Sequence, residues 1–207
     1  MCFEIKICKR IEKMEKSHFF AMLSRMKYIN RWGLMNNTNT ENISEHSLQV
    51  AFFAHLLVLL HNRRTGEELN AERAALLGMY HDSTEIITGD MPTPVKYYNP
   101  EIISSYKKVE KLAGERLVSM LPEELREEYE DIILFENEKD ESLKIFVKAA
   151  DKLSAYVKCV EELRMGNDDF LRAKFSTEKA IKAMKLPEAD EFMEKFMPSF
   201  SLTIDEF

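Results

Sequence analysis

The sequence contains few of the residues that break helices or cross-link small folds. Its 207 residues include six glycines, six prolines and three cysteines. The cysteines, at positions 2, 8 and 159, are odd in number and far apart, which does not fit a disulfide framework. We therefore expect reduced thiols in a cytoplasmic protein. Because glycine and proline interrupt the chain at only a few short places, most of it is free to be helical.

An excess of basic residues and a long apolar run are also missing. There are 29 basic residues against 36 acidic ones, whereas a general binder of nucleic acid or anionic membranes needs a basic face. The longest apolar run, residues 50–60, is interrupted by His55 and is shorter than the roughly 18 residues of a membrane-spanning helix. Charges scattered through residues 1–16 do not fit an export signal. We expect no nucleic-acid partner, no membrane contact and no export.

Helical periodicity fills most of the chain, and no alternating strand pattern with hairpin turns interrupts it. A helix predicted to begin at a Ser44 cap and to reach about Asn62 is apolar almost all round, which indicates the centre of a bundle. Residues 89–94 contain two prolines, so we expect no helix interior there. The length is sufficient for one domain with a sizeable core. The sequence predicts an all-α, single-domain helical bundle.

The strongest local signal for chemistry is the pair His81-Asp82 at the end of a predicted helix. Glu85 follows four residues after the histidine and three after the aspartate, so it lies on the same side of the chain. An imidazole, a ligand carboxylate and a spare carboxylate then share one small volume. Solvated acids at an exposed helix end explain the dipeptide alone equally well.

Two further residues extend this signal. His46 lies near the start of the most apolar helix, where a lone histidine is more often a core or capping residue than a ligand. Asp151 lies in the middle of a long helix among apolar and small residues. Burying an unpaired carboxylate is costly, so Asp151 is paired, bound to a metal, or on an exposed stripe with Lys148 and Lys152.

Together these candidate ligands are two imidazoles and two carboxylates from three predicted helices: His46, His81, Asp82 and Asp151. This mixture suits a divalent transition ion such as Mn, Co, Fe, Ni or Zn better than Mg or Ca. It also leaves coordination positions open for water and substrate. Whether the four residues meet in space does not follow from their spacing. The other histidines, at positions 18, 55 and 61, are assigned structural roles.

The order H…HD…D resembles the signature of the HD-domain phosphohydrolases, and longer segments resemble the bacterial HD-domain 5'-deoxynucleotidases. These segments include RW at 31–32, ENISEHSLQVA at 41–51, YHD at 80–82 and TGDMPTPVKY at 88–97, with 17–20, 29–30, 122–126 and 198–200 around them. The HD pair is a weak motif, whereas the longer blocks in this order are specific. The resemblance runs from about residue 14 to residue 207 and leaves residues 1–13 as an N-terminal extension without a counterpart.

This resemblance implies an HD-type bundle with a metal site at its centre. It also implies a cytoplasmic, homodimeric phosphatase that hydrolyses deoxyribonucleoside 5'-monophosphates, spares ribonucleotides and uses one divalent ion such as Co²⁺ or Mn²⁺. The implied metal ligands are His46, His81, Asp82 and Asp151. The implied catalytic residues are Glu85, Arg31, which orients the phosphate, and Asp90. The implied substrate contacts are Arg31, Trp32, His46, Asp82, Asp90, Met91, Pro92, Thr93 and Asp151.

Three alternatives stay open at this point. One is another HD-domain reaction, on a deoxynucleoside triphosphate or a guanosine polyphosphate, although longer phosphate chains need more basic residues than Arg31 and Lys96 in the segments at 31–32 and 88–97. The second is an inactive nucleotide-binding regulatory domain, which the intact ligand set argues against. The third is a purely structural bundle, for which substitution of His46, Glu85 or Arg31 would change nothing.

Overall fold

The computed structural model describes residues 16–96 and 98–206, and this part of the chain is helical. The α-helices are α1 (Phe19–Leu23), α2 (Ile43–Thr65), α3 (Ala71–Tyr80), α4 (Glu85–Thr88), α5 (Thr93–Lys96), α6 (Pro100–Val118), α7 (Arg126–Ile133), α8 (Lys144–Arg164), α9 (Leu171–Ala183) and α10 (Pro187–Lys195). Among the described residues the only β-type pairing is one antiparallel bridge between Asn30 and Asn42. The predicted all-α class is therefore confirmed, and the predicted extension at 1–13 lies outside the described residues.

Helix α2 is the centre of the bundle, as its apolar composition predicted. It packs against α3 and α8, with α10 covering part of its surface. Val50, Ala54 and Leu57 of α2 are fully buried against Leu77 of α3 and Leu153 of α8 in the main core. Because burial of apolar surface is the main favourable contribution to folding, this core fixes the relative positions of the three helices.

The start of α2 differs from the prediction that Ser44 is its cap. The cap is Asn42, whose side-chain oxygen accepts hydrogen bonds from the backbone N–H groups of Ser44 at 3.0 Å and Glu45 at 3.1 Å. The Glu45 carboxylate in turn accepts from the backbone N–H of Asn42 at 3.2 Å. This reciprocal capping box satisfies the free donors of the first turn. It fixes the turn that carries His46.

By length and composition, α2 is also the one helix in the described ranges that is apolar enough to cross a membrane. Its most apolar window has a mean hydropathy of 1.4, and half of that window is buried inside the bundle. The longest apolar run in the sequence covers only residues 50–60, whereas helix α2 extends beyond that run at both ends. The core helix of a bundle meets the same criterion, so the finding is weak evidence for a membrane span.

Helices α2 and α3 approach each other closely at Gly78. A Cβ atom placed on Gly78 would lie 3.0 Å from the Cα of Ala51 and 3.1 Å from its backbone nitrogen. The absence of a side chain at this position lets the two backbones touch. The end of α3 is thereby held beside the first turns of α2.

The segment after α3 contains the predicted interruption of the helical structure. Gly89 has a φ of 73° and ends α4, and residues 89–92 are not helical, as predicted. Thr93 and Pro94 begin the one-turn helix α5, so both prolines lie outside a helix interior, as predicted. Pro94 is tolerated because the first turn of a helix has no intrahelical acceptor for its missing N–H.

Candidate active site

The four predicted ligands meet at one point between α2, α3 and α8. His46 lies in the first turn of α2, His81 and Asp82 follow the end of α3, and Asp151 lies in α8. The Nε2 atom of His46 lies 3.2 Å from Asp151 Oδ1 and 3.5 Å from Asp82 Oδ2. His81 Nε2 lies 3.1 Å from the same Asp82 oxygen. Donor atoms of His46, His81 and Asp151 lie within 4.8 Å of one another, a spacing that one metal ion can bridge.

Hydrogen bonds on the far side of each imidazole fix which nitrogen faces this point. His81 Nδ1 lies 2.8 Å from the carbonyl oxygen of Gly78, which can only accept, so Nδ1 carries the proton. His46 Nδ1 lies 2.9 Å from Ser154 Oγ, and that hydroxyl donates its one proton to Gln49 at 2.6 Å. Ser154 must therefore accept from His46. In the neutral imidazoles both Nε2 atoms then present lone pairs, as metal ligands require.

The donor set fits a metal ion for a second reason. The Nε2 atoms of His46 and His81 are buried and make no hydrogen bond within the described structure. Two lone pairs directed at two carboxylates repel one another, and buried polar atoms without partners are costly. A divalent cation ligated by all four groups removes both penalties. The residues present therefore fit the metal that the resemblance implies.

The pKa values of the cluster also favour an added positive charge. Burial lowers the pKa of His81, but the Asp82 carboxylate outweighs burial and raises it. Burial raises the pKa of Asp82, but the charge of His81 outweighs burial and holds this pKa well below its usual range. Burial likewise raises the pKa of Asp151, but the hydrogen bond and charge of His46 bring it to about 2. Burial and the charge of Arg31 lower the pKa of His46. The two carboxylates are thus ionised at neutral pH, with a neutral imidazole beside them.

Exposure increases across the cluster from one side to the other. The His46 side chain is fully buried, whereas 39% of the Asp151 side chain is exposed. His81 and Asp82 are intermediate. The cluster is therefore closed on the α2 side and open towards solvent beside Asp151, which is the side from which a substrate can enter.

Arg31 and Trp32 lie at this open side. Arg31 Nη2 lies 4.0 Å from Asp151 Oδ1, while Nη1 donates to Glu41 Oε2 at 2.7 Å. Trp32 Nε1 donates to the same Glu41 oxygen at 3.1 Å. Glu41 is a residue to which the sequence assigned no role. Its place in the shared segment 41–51, ten residues after Arg31, is the signal that could have identified it.

Glu85 is the first residue of α4 and is almost completely buried. Its Oε2 atom is buried without a hydrogen-bond partner among the described residues. Burial, followed by the charges of Asp82 and Asp90, raises the pKa of Glu85 to about 9. The spare carboxylate predicted beside the HD pair is therefore next to it and held in a weakly solvated position.

The predicted substrate loop reaches the same place through Asp90. Burial and the charge of Asp82 raise the pKa of Asp90, while Arg31 and the backbone N–H of Trp32 oppose this rise. Asp90 thus lies close enough to Glu85, Asp82 and Arg31 for their charges to interact. Met91 and Pro92 continue the loop as half-buried residues, and Thr93 is exposed at the start of α5.

The remaining histidines lie away from the cluster. His18 is exposed before α1, and His55 is half-buried in the middle of α2. His61, near the end of α2, contacts the buried carboxylate of Glu188 through Nδ1 at 3.2 Å. Only His46 and His81, among the histidines in the described ranges, share a site with carboxylates of the predicted ligand set.

Known protein families and sequences resemble this chain over most of its length. The model of the YfbR-like 5'-deoxynucleotidase family matches residues 18–200. A protein named 5'-deoxynucleotidase from Yersinia pestis (strain Pestoides F) is 56% identical over 190 residues, which is 92% of this chain and 96% of that protein. A 5'-deoxynucleotidase from Yersinia pseudotuberculosis serotype O:3 (strain YPIII) matches with the same identity and coverage.

Solved structures share the fold at much lower identity. An HD-domain phosphohydrolase from Listeria innocua superimposes with a TM-score of 0.75 at 21% identity, covering 88% of each chain. The PH0347 protein from Pyrococcus horikoshii OT3 superimposes with a TM-score of 0.63 at 22% identity, over 89% of this chain and 97% of that one. The bundle is thus of the HD type, with the His–Asp cluster at its centre. By its sequence relatives and the match over 18–200, the chain belongs to the YfbR-like 5'-deoxynucleotidase family.

Proposed function

We propose that this protein hydrolyses deoxyribonucleoside 5'-monophosphates to deoxyribonucleosides and phosphate, using one divalent transition ion such as Co²⁺ or Mn²⁺. Family membership supplies the reaction class, hydrolysis of a phosphoric monoester. The observation that carries the proposal is the pair of buried, unpartnered Nε2 atoms directed at two ionised carboxylates beside an arginine. The proposed ligands are His46, His81, Asp82 and Asp151.

When bound, the ion would act as a Lewis acid that lowers the pKa of a water molecule and polarises a phosphoryl oxygen. Arg31 binds the phosphate from the open side of the cluster. Glu41 holds its Nη1 edge, and its Nη2 edge faces the ligands. A planar guanidinium in this position neutralises the charge that spreads over the phosphate oxygens during transfer. Because Glu41 already fixes one edge of the group, little further ordering is needed when substrate binds.

Glu85 and Asp90 serve as the proton-transfer residues. Burial and the charges of Asp82 and Asp90 raise the pKa of Glu85 to about 9, and a divalent cation bound beside it would lower that pKa, so that the carboxylate could orient and deprotonate the attacking water. Asp90, whose carboxyl interacts with the charges of Arg31 and Asp82, is the proposed donor that protonates the departing 5'-oxygen of the sugar. A second water is the alternative donor for that step.

Trp32 and the loop 90–93 form the remainder of the substrate site. The indole gives a flat apolar wall beside Arg31, which crowds a ribose 2'-hydroxyl and admits a deoxyribose. Met91, Pro92 and Thr93 contact the substrate mainly through their backbone, so methionine at position 91 is compatible with the site.

A cytoplasmic location and a homodimer belong to the same proposal. The acid excess and the scattered cysteines support the first. Exposed apolar side chains on one helix, Leu48, Phe52 and Leu59 of α2, support self-association. Light scattering coupled to gel filtration measures the mass in solution, and a monomer at all concentrations would contradict the dimer.

A panel of nucleotides and metals tests reaction, substrate class and cofactor together. The purified protein is stripped of metal and supplied with Co²⁺, Mn²⁺, Zn²⁺ or Mg²⁺, and phosphate release is measured from dAMP, AMP, dATP and a guanosine polyphosphate. We expect release from dAMP with Co²⁺ or Mn²⁺ and little from AMP. Release from dATP or the guanosine polyphosphate but not from dAMP would overturn the proposal. Absence of activity together with no thermal stabilisation by Co²⁺ or Mn²⁺ would favour a regulatory domain.

A further inference from the structure

We infer that Glu41 is a positioning residue that holds the phosphate-binding and sugar-selecting groups in register through one carboxylate oxygen. This inference rests on the proposed function and extends it to the origin of deoxyribose selectivity. Glu41 Oε2 accepts both the Arg31 Nη1 bond at 2.7 Å and the Trp32 Nε1 bond at 3.1 Å. Because the two donors share one acceptor atom, any movement of this oxygen changes the hydrogen bonds of both side chains at once.

The group formed by Glu41, Arg31 and Trp32, here called the clamp, is shielded from water. Only 13% of the Arg31 side chain and 15% of the Glu41 side chain are exposed. The Arg31–Glu41 bond joins two charged groups, and such bonds are short, directional and stronger when they are desolvated. The orientation of Arg31 therefore depends on Glu41 more than it would for an ion pair at the surface.

The backbone of Trp32 needs this support. Trp32 has a φ of 60°, in the left-handed region that bulky residues rarely occupy. Its carbonyl oxygen accepts a hydrogen bond from the Asn37 side chain at 3.2 Å, and its ring packs against Phe170 with centroids 5.4 Å apart. Residues in unfavourable backbone conformations persist where the surroundings over-determine them. The indole bond to Glu41 is one of the contacts that do so.

Glu41 lies in a backbone segment that leads directly into the helix turn that carries the ligand His46. Arg31 N–H donates to the carbonyl of Glu41 at 2.9 Å, and Ile43 N–H donates to the carbonyl of Ile29 at 3.0 Å. These bonds close the neck of the loop 32–40, and α2 begins directly after it with the turn that carries His46. The carboxylate, the two side chains that it holds and the first ligand thus share one short segment of backbone.

A rigid wall matters for selectivity because a soft apolar pocket rejects an added hydroxyl group only weakly. An indole whose Nε1 is hydrogen-bonded cannot rotate away from a 2'-hydroxyl, whereas a released indole can. Loss of Glu41 should therefore weaken phosphate binding and relax the choice of sugar at the same time. Loss of an ordinary structural residue would lower activity towards both sugars in proportion.

The test compares Glu41→Ala and Glu41→Gln with the wild type and with Glu161→Ala. Glu161 is a matched control, since its carboxylate lies close enough to Glu41 for their charges to interact. Kinetics with dAMP and AMP are measured in the same metal buffer. We expect Glu41→Ala to raise KM for dAMP about tenfold and to reduce the dAMP/AMP ratio of kcat/KM at least tenfold. Glu41→Gln, which keeps one acceptor oxygen, should recover part of both losses. Glu161→Ala should retain the wild-type ratio.

A double-mutant cycle separates the two bonds. Trp32→Phe removes the indole donor, so adding Glu41→Gln to this variant should still raise KM for dAMP, through Arg31, but change the sugar ratio little. The inference would be overturned if Glu41→Gln lowered the dAMP/AMP ratio of kcat/KM equally in the wild type and in Trp32→Phe. Wild-type KM and ratio in both Glu41 variants would also overturn it.

A readout independent of activity keeps the inference separate from the proposed function. The chain has a single tryptophan, so fluorescence excited at wavelengths that tyrosine does not absorb reports on Trp32 alone. Acrylamide quenching should increase in folded Glu41→Gln, to a larger extent in Glu41→Ala, and stay at the wild-type level in Glu161→Ala. Unchanged quenching in both Glu41 variants would refute the clamp even if dAMP is the substrate. Increased quenching with no hydrolysis of dAMP by the wild type would refute the proposed function and leave the clamp supported.

Discussion

Substitution of Gly78 by alanine should separate the two helices that carry the histidines. The new Cβ atom would lie 3.0 Å from the Cα of Ala51, where ordinary contacts begin at 3.4 Å. The atoms that it meets are backbone, which has no side-chain rotation to relieve the contact. Helix α3 must therefore move away from α2 by at least about 0.4 Å.

Two opposing effects determine the change in stability. Alanine is favoured over glycine inside a helix by about 1 kcal/mol. Overpacking of a core typically costs about 1–3 kcal/mol, and contact with backbone puts this site at the upper end. A net destabilisation of about 1–2 kcal/mol remains, equal to a fall in Tm of about 2–8 °C for a domain of this size.

The effect on the site should be larger than the effect on stability. The Gly78 carbonyl accepts the hydrogen bond from His81 Nδ1, so any movement of α3 carries His81 with it. A misplacement of about 1 Å can cost about 100-fold in rate, so a shift of a few tenths of an ångström should cost about tenfold. We therefore expect weaker metal binding and lower turnover of dAMP in a protein that is still folded.

The assay combines thermal melts, titration with Mn²⁺ and phosphate release from dAMP. Gly114→Ala is the matched control, because a Cβ there meets mainly the end of the half-buried Leu134 side chain, which can rotate. It should stay within about 1 kcal/mol of the wild type. Wild-type metal affinity and turnover in Gly78→Ala would show that the close approach of α2 and α3 does not position the ligands.

Three further predictions concern individual side chains. Glu85→Ala should keep the bound ion but lose at least about 100-fold in turnover, whereas His81→Ala should lose both the ion and turnover. Metal content and phosphate release from dAMP measure the two effects. Normal turnover in Glu85→Ala would contradict the catalytic role assigned to Glu85. Ser154→Ala removes the acceptor that fixes the His46 tautomer, so competitive titration should show metal affinity about 10- to 100-fold weaker. Burial raises the pKa of Glu162, but hydrogen bonds from Lys158 and other donors bring it to about 2, below the roughly 4.3 of an unfolded chain. Its contribution to stability is therefore present above about pH 4.3 and is lost as the pH falls towards 2, so Glu162→Gln should melt lower at pH 7 and show a flatter Tm profile between pH 5 and 2. Parallel profiles for the two proteins would contradict this linkage.

Local sequence signals predicted the elements but not all of their boundaries. The cap of α2 illustrates the limit, since Asn42, Ser44 and Glu45 all carry suitable side chains for a helix start. Only the backbone geometry selects Asn42, because the bridge between Asn30 and Asn42 holds that residue in an extended conformation just before the first turn. Pro94 shows the same limit, because the two prolines excluded a helix interior at 89–94 but did not indicate that a one-turn helix begins at Thr93.

Within the site, residue types were predictable and their partners were not. His46, His81, Asp82 and Asp151 were identified by chemistry and by resemblance, and the structure brings them together. The hydroxyl of Ser154 and the carboxylate of Glu41 were not identified. A serine 108 residues away from His46 in sequence carries no local sign that it fixes an imidazole tautomer. The roles of Arg31, Trp32, Glu85 and the loop 90–93 stay predictions for the experiments above.

The sequence by itself determined the all-α class and the chemistry of the available ligands, because hydrophobic periodicity and side-chain type are local properties of the chain. Only the tertiary structure decided that two imidazoles and two carboxylates share one point, that both Nε2 atoms carry lone pairs, and that one oxygen of Glu41 holds both Arg31 and Trp32. These features arise from the packing of α2 against α3 and α8, which joins residues far apart in sequence. Such contacts depend on how buried surfaces fit together, and at Gly78 the fit is close enough that one added methyl group should alter the site.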